Sequence, residues 1–139
     1  MTTTTKYDLL LKGGRVIDPA NNVDGVFDVA IAGRYVSSVE NDIAPELARK
    51  VANVSGLVVT PGLIDLHAHF YGYPAAVLPD AHCLSEGTTT AVDAGGAGHL
   101  TFDDFDRKII SKSKTNVFAL INIAGEGMVG SPEQDLDGM

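Results

Sequence analysis

Two histidines separated by one residue, His67 and His69, are the side chains of this sequence best placed to do chemistry together. They close an apolar run, 63–66, that is entered through Pro61-Gly62. In a β-strand the side chains at i and i+2 point to the same face, so the two imidazoles project side by side. Imidazole is the commonest metal ligand in proteins, and the pair therefore predicts a metal site. The alternative is a pair of solvated histidines at a strand end.

The same alternation places Asp65 on the face of His67 and His69, one step earlier in the strand. A carboxylate there could orient an imidazole or the groups around a metal ion. A buried aspartate that is hydrogen-bonded for structural reasons explains the residue equally well, so both interpretations stay open.

Asp93 and His99 are further polar residues close to the end of a second predicted strand. For Asp93, a hydrogen-bonding role behind the ligands or in the fold is favoured over metal ligation. His99 could touch substrate, although an exposed loop histidine is the commoner case. A cysteine nucleophile needs a positioned base and a lowered pKa, so Cys83 is predicted to be a buried helix residue, and its neighbour His82 is not expected to be a ligand.

Positioning these side chains requires alternating strands and helices, and from residue 61 onward the pattern provides them. Strands are predicted over 63–69, 88–93 and 117–124, and helices over 81–85 and 102–113. Such a pattern predicts parallel βα units, in which chemistry lies at the C-terminal ends of the strands.

A glycine cluster at 95–98 follows the second predicted strand. It lets backbone approach a ligand closely, or it is a plain flexible loop. Asn122 and Glu126 lie near the end of the third strand. The second helix carries apolar residues at near-helical spacing, which predicts core: Phe102, Phe105, Ile109 and Ile110.

The first 60 residues indicate short strands with tight turns and offer no reactive cluster, so a structural β module is predicted. Gly13-Gly14 is interpreted as a turn. Residues 32–34 are interpreted as the turn of a hairpin between strands at 26–31 and 35–39.

Residues 59–69, Val-Thr-Pro-Gly-Leu-Ile-Asp-Leu-His-Ala-His, resemble the segment that opens the first barrel strand in the amidohydrolase superfamily. Dihydroorotases, hydantoinases, D-aminoacylases and related deacetylases share that segment. Residues 7–19 and 28–36 are similar to the start of those enzymes, and residues 86–95 to their second barrel strand. The resemblance covers nearly the whole chain and is closest to the amidohydrolase/deacetylase metallohydrolase branch.

The resemblance implies an α/β fold with two parts. Residues 1–60 correspond to the N-terminal part of a composite β-sandwich subdomain. Residues 61–139 correspond to the first βα units, about strands one to three, of an incomplete (β/α)8 TIM-type barrel.

The resemblance also implies one or two divalent metal ions, usually zinc, at the barrel mouth. In that family the metal activates a water molecule that attacks an amide, cyclic amide or ester carbon. His67 and His69 match the first pair of family ligands. The other ligands, a carboxylated lysine or a glutamate, two histidines and an aspartate, come from later strands. Three lysines lie on or just after the second helix and do not match the bridging lysine: Lys108, Lys112 and Lys114.

The length of the chain predicts that it is the N-terminal portion of an enzyme. The chain has 139 residues, whereas a (β/α)8 barrel takes roughly 250. The polar segment 130–139 is interpreted as a loop in mid-fold. A catalytic zinc site usually has three protein ligands and this chain offers two, so residues 1–139 alone are not expected to hydrolyse substrate or to close a barrel. The alternatives are a non-catalytic binding or assembly module, or one part of a split enzyme.

The composition of the chain limits the classes of binding partner and the cellular location that we expect. The formal net charge of −8 argues against nucleic acid and anionic membranes as binding partners. The resemblance, and not the charge, implies a small-molecule amide or ester as the substrate. No apolar stretch reaches the length of a membrane span, no signal peptide is evident, and the single cysteine cannot form an intrachain disulfide. These features predict a cytoplasmic protein.

Overall fold

The computed structural model describes residues 5–129. The chain divides into two compact units, Met1–Pro61 and Gly62–Met139. The predicted loop at 130–139 lies outside the described residues. Among the described residues, no helix is long and apolar enough to cross a membrane.

The first unit is built on one sheet of five strands. The strands are β1 (Leu9–Asp18), β2 (Val23–Ala32), β3 (Tyr35–Glu40), β4 (Val51–Asn53) and β5 (Val58–Val59). The sheet order is β3-β2-β1-β4, and β5 also pairs with β1. β1, β2 and β3 are antiparallel neighbours, whereas β4 and β5 run parallel to β1.

Glycines shape this sheet at two points. The hairpin between β2 and β3 is confirmed, and Gly33 makes its turn at φ 60°. The turn predicted at Gly13-Gly14 is wrong, because β1 continues through both residues with a bulge between Leu11 and Gly14. Gly13 absorbs the irregularity at φ 76°, since glycine adopts positive φ without a steric penalty.

The core of the first unit is small and apolar. Tyr7, Leu10, Ala30 and Ile43 are buried together. Asp28 is also buried, with 3% of its surface exposed.

The second unit alternates three strands with two helices, as predicted. Its elements are β6 (Leu63–Ala68), α1 (Pro79–Cys83), β7 (Thr88–Gly98), α2 (Phe102–Lys108) and β8 (Asn116–Asn122). The three strands are parallel in the order β6-β7-β8. The first helix begins earlier than expected because Pro79 occupies its first turn, where a missing N–H costs nothing. The second helix ends at Lys108 and a 3-10 turn, Ile110–Lys112, completes the predicted span.

Helix side chains cover one face of this sheet. Phe105, Cys83 and Ala91 are the centre of the core, and the helix residues predicted as core pack on it: Phe102, Ile109 and Ile110. Val117 and Ala119 of β8 face the same cluster. The alternate residues Phe118 and Leu120 therefore point to the other face, where they are 62% and 61% exposed.

Candidate metal centre

His67 and His69 lie side by side at the C-terminal end of β6. Their ring centroids are 5.2 Å apart, and the ring planes are nearly perpendicular at 87°. Ala68 and Phe70, the alternate residues, are buried in the core. The shared face that the i, i+2 spacing predicts is therefore present, on the side of the sheet away from the helices.

His69 is the better enclosed of the two imidazoles. Its Nδ1 atom is buried, and no described residue forms a hydrogen bond with it. The ring of Tyr73 lies against it, with centroids 5.0 Å apart and a tilt of 41°. The loop after β6 folds back at this point, because the Val77 N–H donates to the His69 carbonyl at 3.1 Å. The imidazole is thus held by packing and by its backbone.

Asp65 does not share the face of the two histidines, so that prediction is wrong. The pairing of β6 with β7 shifts between Asp65 and Ala68, so that Asp65 lies opposite Ala91 and faces the helix side. A bulge of this kind reverses the alternation of side chains. The carboxylate of Asp65 accepts the backbone N–H of His67 at 3.0 Å and thus reaches the pair through the backbone.

Asp93 lies inside β7 with none of its surface exposed. Its Oδ2 accepts the Phe70 N–H at 2.7 Å, and its Oδ1 accepts the Gly96 N–H at 2.6 Å. Both oxygens are engaged by backbone, so the structure gives this carboxylate no path to a substrate.

The glycine cluster at 95–98 is neither a flexible loop nor a ligand-binding turn. β7 continues through Gly98, and residues 95–98 are all buried. A side chain at Gly98 would collide with the carbonyl oxygens of Ala124 and Gly125, and one at Gly96 with the carbonyl oxygen of Tyr71. The close approach allowed by these glycines is therefore between backbones of this protein. The alternation of apolar and polar residues could not predict this close packing, because glycine has no side chain to indicate which face of a strand is buried.

The remaining candidates do not join the pair. His99 and His82 are exposed. Asn122 donates from Nδ2 to the Gly95 carbonyl at 2.9 Å and accepts the Ala124 N–H at 2.9 Å. Among the described residues, no group of three or more histidine, cysteine, aspartate or glutamate side chains could hold a metal ion.

Tyr71 and Cys83 are packing residues. Tyr71 stacks on Phe105, with centroids 5.1 Å apart, and its hydroxyl donates to Asp104 at 2.9 Å. The thiol of Cys83 is buried as predicted. Burial, and after it the carboxylates of Asp65 and Asp80, raise the pKa of this thiol, which keeps it protonated and unreactive.

Comparison with known proteins identifies a class of hydrolytic enzymes. A dihydroorotase of Trichlorobacter lovleyi is 35% identical over 137 residues, which cover 88% of this chain and 31% of that enzyme. A deacetylase of Enterococcus faecalis is 30% identical over 129 residues, which cover 91% and 33%. No protein-family model matches the chain.

Two solved structures extend the likeness to the fold. An adenine deaminase superposes with a TM-score of 0.74 at 31% identity, over 95% of this chain and 35% of that one. A D-aminoacylase described by its binuclear metal center has a TM-score of 0.50 at 35% identity, over 63% and 18%. The chain belongs to the amidohydrolase superfamily, whose TIM-barrel members these are. The chain spans about a third of the length of these two curated relatives.

Proposed function

We propose that this chain contributes the first two metal ligands, His67 and His69, of a metal-dependent amidohydrolase. The observation that carries the proposal is the pair of imidazoles 5.2 Å apart on one face at the end of β6. The end of a strand in a parallel βα sheet is where such folds carry their chemistry.

The donor set fits a zinc ion in part. Neutral imidazole is a preferred ligand of zinc, and the buried Nδ1 of His69 has no partner among the described residues. A buried polar atom without a partner lowers the stability of the fold, so a metal ion or another group that binds this nitrogen would remove that cost. A catalytic zinc site needs about three protein ligands, so at least one more must come from outside this pair. The binuclear center named for the related D-aminoacylase leaves room for one ion or two.

The proposed reaction is hydrolysis of an amide, cyclic amide or ester of a small molecule. A bound divalent metal would supply an acidified water and a polarised carbonyl. This chain's own part is to present His67 and His69 on a rigid strand end and to shield His69 with the Tyr73 ring. The related proteins include a dihydroorotase, a deacetylase and an adenine deaminase, so membership of the superfamily does not by itself select the substrate.

The two compact units support a domain proposal. We assign residues 1–60 to part of a composite β-sandwich and residues 61–139 to the first three βα units of the hydrolase barrel. The division between Pro61 and Gly62 and the separate sheets of the two units support this assignment.

The test is metal binding and hydrolysis by the purified 139-residue chain beside a His67→Ala/His69→Ala variant. We expect the parent chain to bind Zn²⁺ or Cu²⁺ in a titration, the double variant to lose that binding, and neither to hydrolyse dihydroorotate or N-acetyl amino acids. Equal metal binding by the double variant would refute the ligand assignment. Metal-dependent hydrolysis by the 139 residues would show that the site is complete without further strands.

A second candidate function, one part of a split enzyme, is favoured by the uncovered apolar sheet face. Phe118, Leu120 and Ile64 are 62%, 61% and 63% exposed. The three side chains lie on the face of the sheet that the helices leave uncovered, and apolar side chains exposed on one face favour an interface there. A polypeptide that supplies the later barrel strands should bind the chain and restore hydrolysis, and co-purification with metal-dependent activity would show it. A cooperative melt by a monodisperse monomer would argue against such a requirement.

A further inference from the structure

The loop that follows His69 is fastened from behind by one buried carboxylate. Asp93 accepts the N–H of Phe70, the residue next to His69, at 2.7 Å and the N–H of Gly96 at 2.6 Å. The carboxylate thereby joins the end of β6 to the end of β7. Hydrogen bonds to a buried carboxylate are charge-assisted and among the stronger ones in proteins.

Backbone packing around Gly96 makes this connection rigid. The Gly96 carbonyl accepts the Met128 N–H at 3.0 Å. A Cβ at Gly72 would lie 2.6 Å from that same carbonyl oxygen, and one at Gly96 would lie 2.8 Å from Asp93 Oδ1. The chain segments that follow β6 and β8 thus meet at the end of β7 without space for side chains.

We infer that Asp93 is a positioning residue for the metal ligand His69, an inference that rests on the proposed metal function. The imidazole of His69 has no hydrogen bond from Nδ1 to a described residue, so no side-chain partner at that atom fixes its direction. The fixed groups are on its backbone: the Phe70 N–H held by Asp93 and the His69 carbonyl held by Val77. Asp93 sets the direction in which His69 leaves the strand, and with it the distance between the two imidazoles.

The test compares Asp93→Asn with Asp80→Asn in the full 139-residue chain, using Cu²⁺ alone as the probe. In Asp93→Asn one oxygen becomes an NH2 group, which cannot accept a backbone N–H. Asp80 is a matched control because it also accepts two backbone N–H groups, those of Lys114 and Thr115 at 2.9 Å each. It lies in the same unit, where it joins the start of α1 to the segment before β8, at the opposite end of the strands from the histidines.

Electron paramagnetic resonance of the copper reports how many nitrogens bind it. The parent and Asp80→Asn are expected to show the same two-nitrogen signal and the same affinity. Asp93→Asn is expected to lose one nitrogen from the signal and to bind about tenfold to a hundredfold more weakly, the range found when a partner behind a ligand is removed. Loss of fold stability alone would affect both aspartate variants without changing the copper signal of the folded fraction.

Three outcomes separate the claims. Identical copper signals in the parent and Asp93→Asn would overturn the positioning role and leave the metal proposal standing. A parent whose copper signal equals that of His67→Ala/His69→Ala would overturn both. If Asp93→Asn does not fold, amide exchange of the unmodified chain decides: a slowly exchanging Phe70 N–H supports the clamp, and one that exchanges as fast as a free amide contradicts it.

Discussion

Two buried aspartates, Asp28 in the first unit and Asp93 in the second, solve the same physical problem in different ways. Each is almost fully removed from solvent, with 3% and 0% of its surface exposed. Asp28 meets a cation, because Lys12 Nζ lies 2.5 Å from its Oδ2, and it also accepts the N–H groups of Gly13 and Ile43. Asp93 accepts only backbone N–H groups among the described residues.

The two units differ in whether the buried polar side-chain atoms of their described residues are all paired. In the first unit the buried charge of Asp28 is compensated by Lys12, whose ammonium donates to Asp28, Asp42 and the Ile43 carbonyl. In the second unit Asp93 holds the backbone, yet no residue between 5 and 129 forms a hydrogen bond with the Nδ1 atom of His69 or covers the apolar side chains on one face of the sheet. A rigid backbone that presents an unsatisfied side chain is what a binding site requires.

The largest expected effect is the loss of the second unit's close backbone packing. Gly98→Ala would force a Cβ into the carbonyl oxygens of Ala124 and Gly125, and should cost about 3 kcal/mol or more. Gly33→Ala in the first unit meets no atom within 4 Å and should cost only about 1 kcal/mol, for its positive φ. Urea unfolding of both variants measures the contrast, and equal midpoints would refute it.

Removing the compensated carboxylate of the first unit should rank next. Asp28→Ala leaves the Ile43 N–H without its acceptor and takes the closest anion from Lys12, which should cost about 2–4 kcal/mol. Asp42→Ala is the matched control, because Asp42 binds the same lysine at 3.0 Å but is 89% exposed. Hydrogen exchange of the β1 and β2 amides reports on this unit alone. Equal protection of these amides in the two variants would show that burial does not make Asp28 contribute more to stability than Asp42.

Sequence reasoning succeeded where periodicity is strong. The alternation of strands with helices, the β2–β3 hairpin and the shared face of His67 and His69 all follow from local pattern, and the structure contains them. It failed where a bulge shifts the register: the pattern of β6 put Asp65 beside the histidines, and the shift before Ala68 turned it toward the helices. Register depends on a neighbouring strand, which a single strand's sequence does not encode.

Glycine-rich sequence failed for a related reason. Gly13-Gly14 and the cluster at 95–98 were expected to interrupt strands, and both lie inside one. The neighbouring backbone decides whether a glycine lies in a turn or in a tightly packed strand. The glycine residue itself does not indicate which neighbour it will have. The metal role of His67 and His69 stays a prediction until binding is measured.

Acid should weaken the first unit through Asp28. Burial by itself would raise the pKa of this carboxyl, but the hydrogen bonds from Lys12 and from the Ile43 and Gly13 amides outweigh it and hold the pKa below its ordinary value of 3.8. A lowered pKa means that the stabilisation is present above 3.8 and disappears as the pH falls through the folded-state value. In Asp28→Asn the protection of β1 and β2 should therefore depend less on pH below about pH 4. An unchanged acid dependence would exclude Asp28 as its source.

The smallest expected effect belongs to the second ion pair of the same hairpin, Arg15 with Asp24. It joins β1 to β2 as Lys12 joins Asp28, and its contacts of 2.8 and 2.9 Å are good. Both side chains are more than half exposed, however, at 58% and 56%. Water and salt screen such a pair, and holding two long side chains in one geometry costs entropy, so Arg15→Ala should melt within error of the parent chain. A clear drop in the melting midpoint of Arg15→Ala that high salt removes would show that contact geometry outweighs burial in this sheet. The exposed pair and the buried Lys12–Asp28 pair would then not differ in the way proposed.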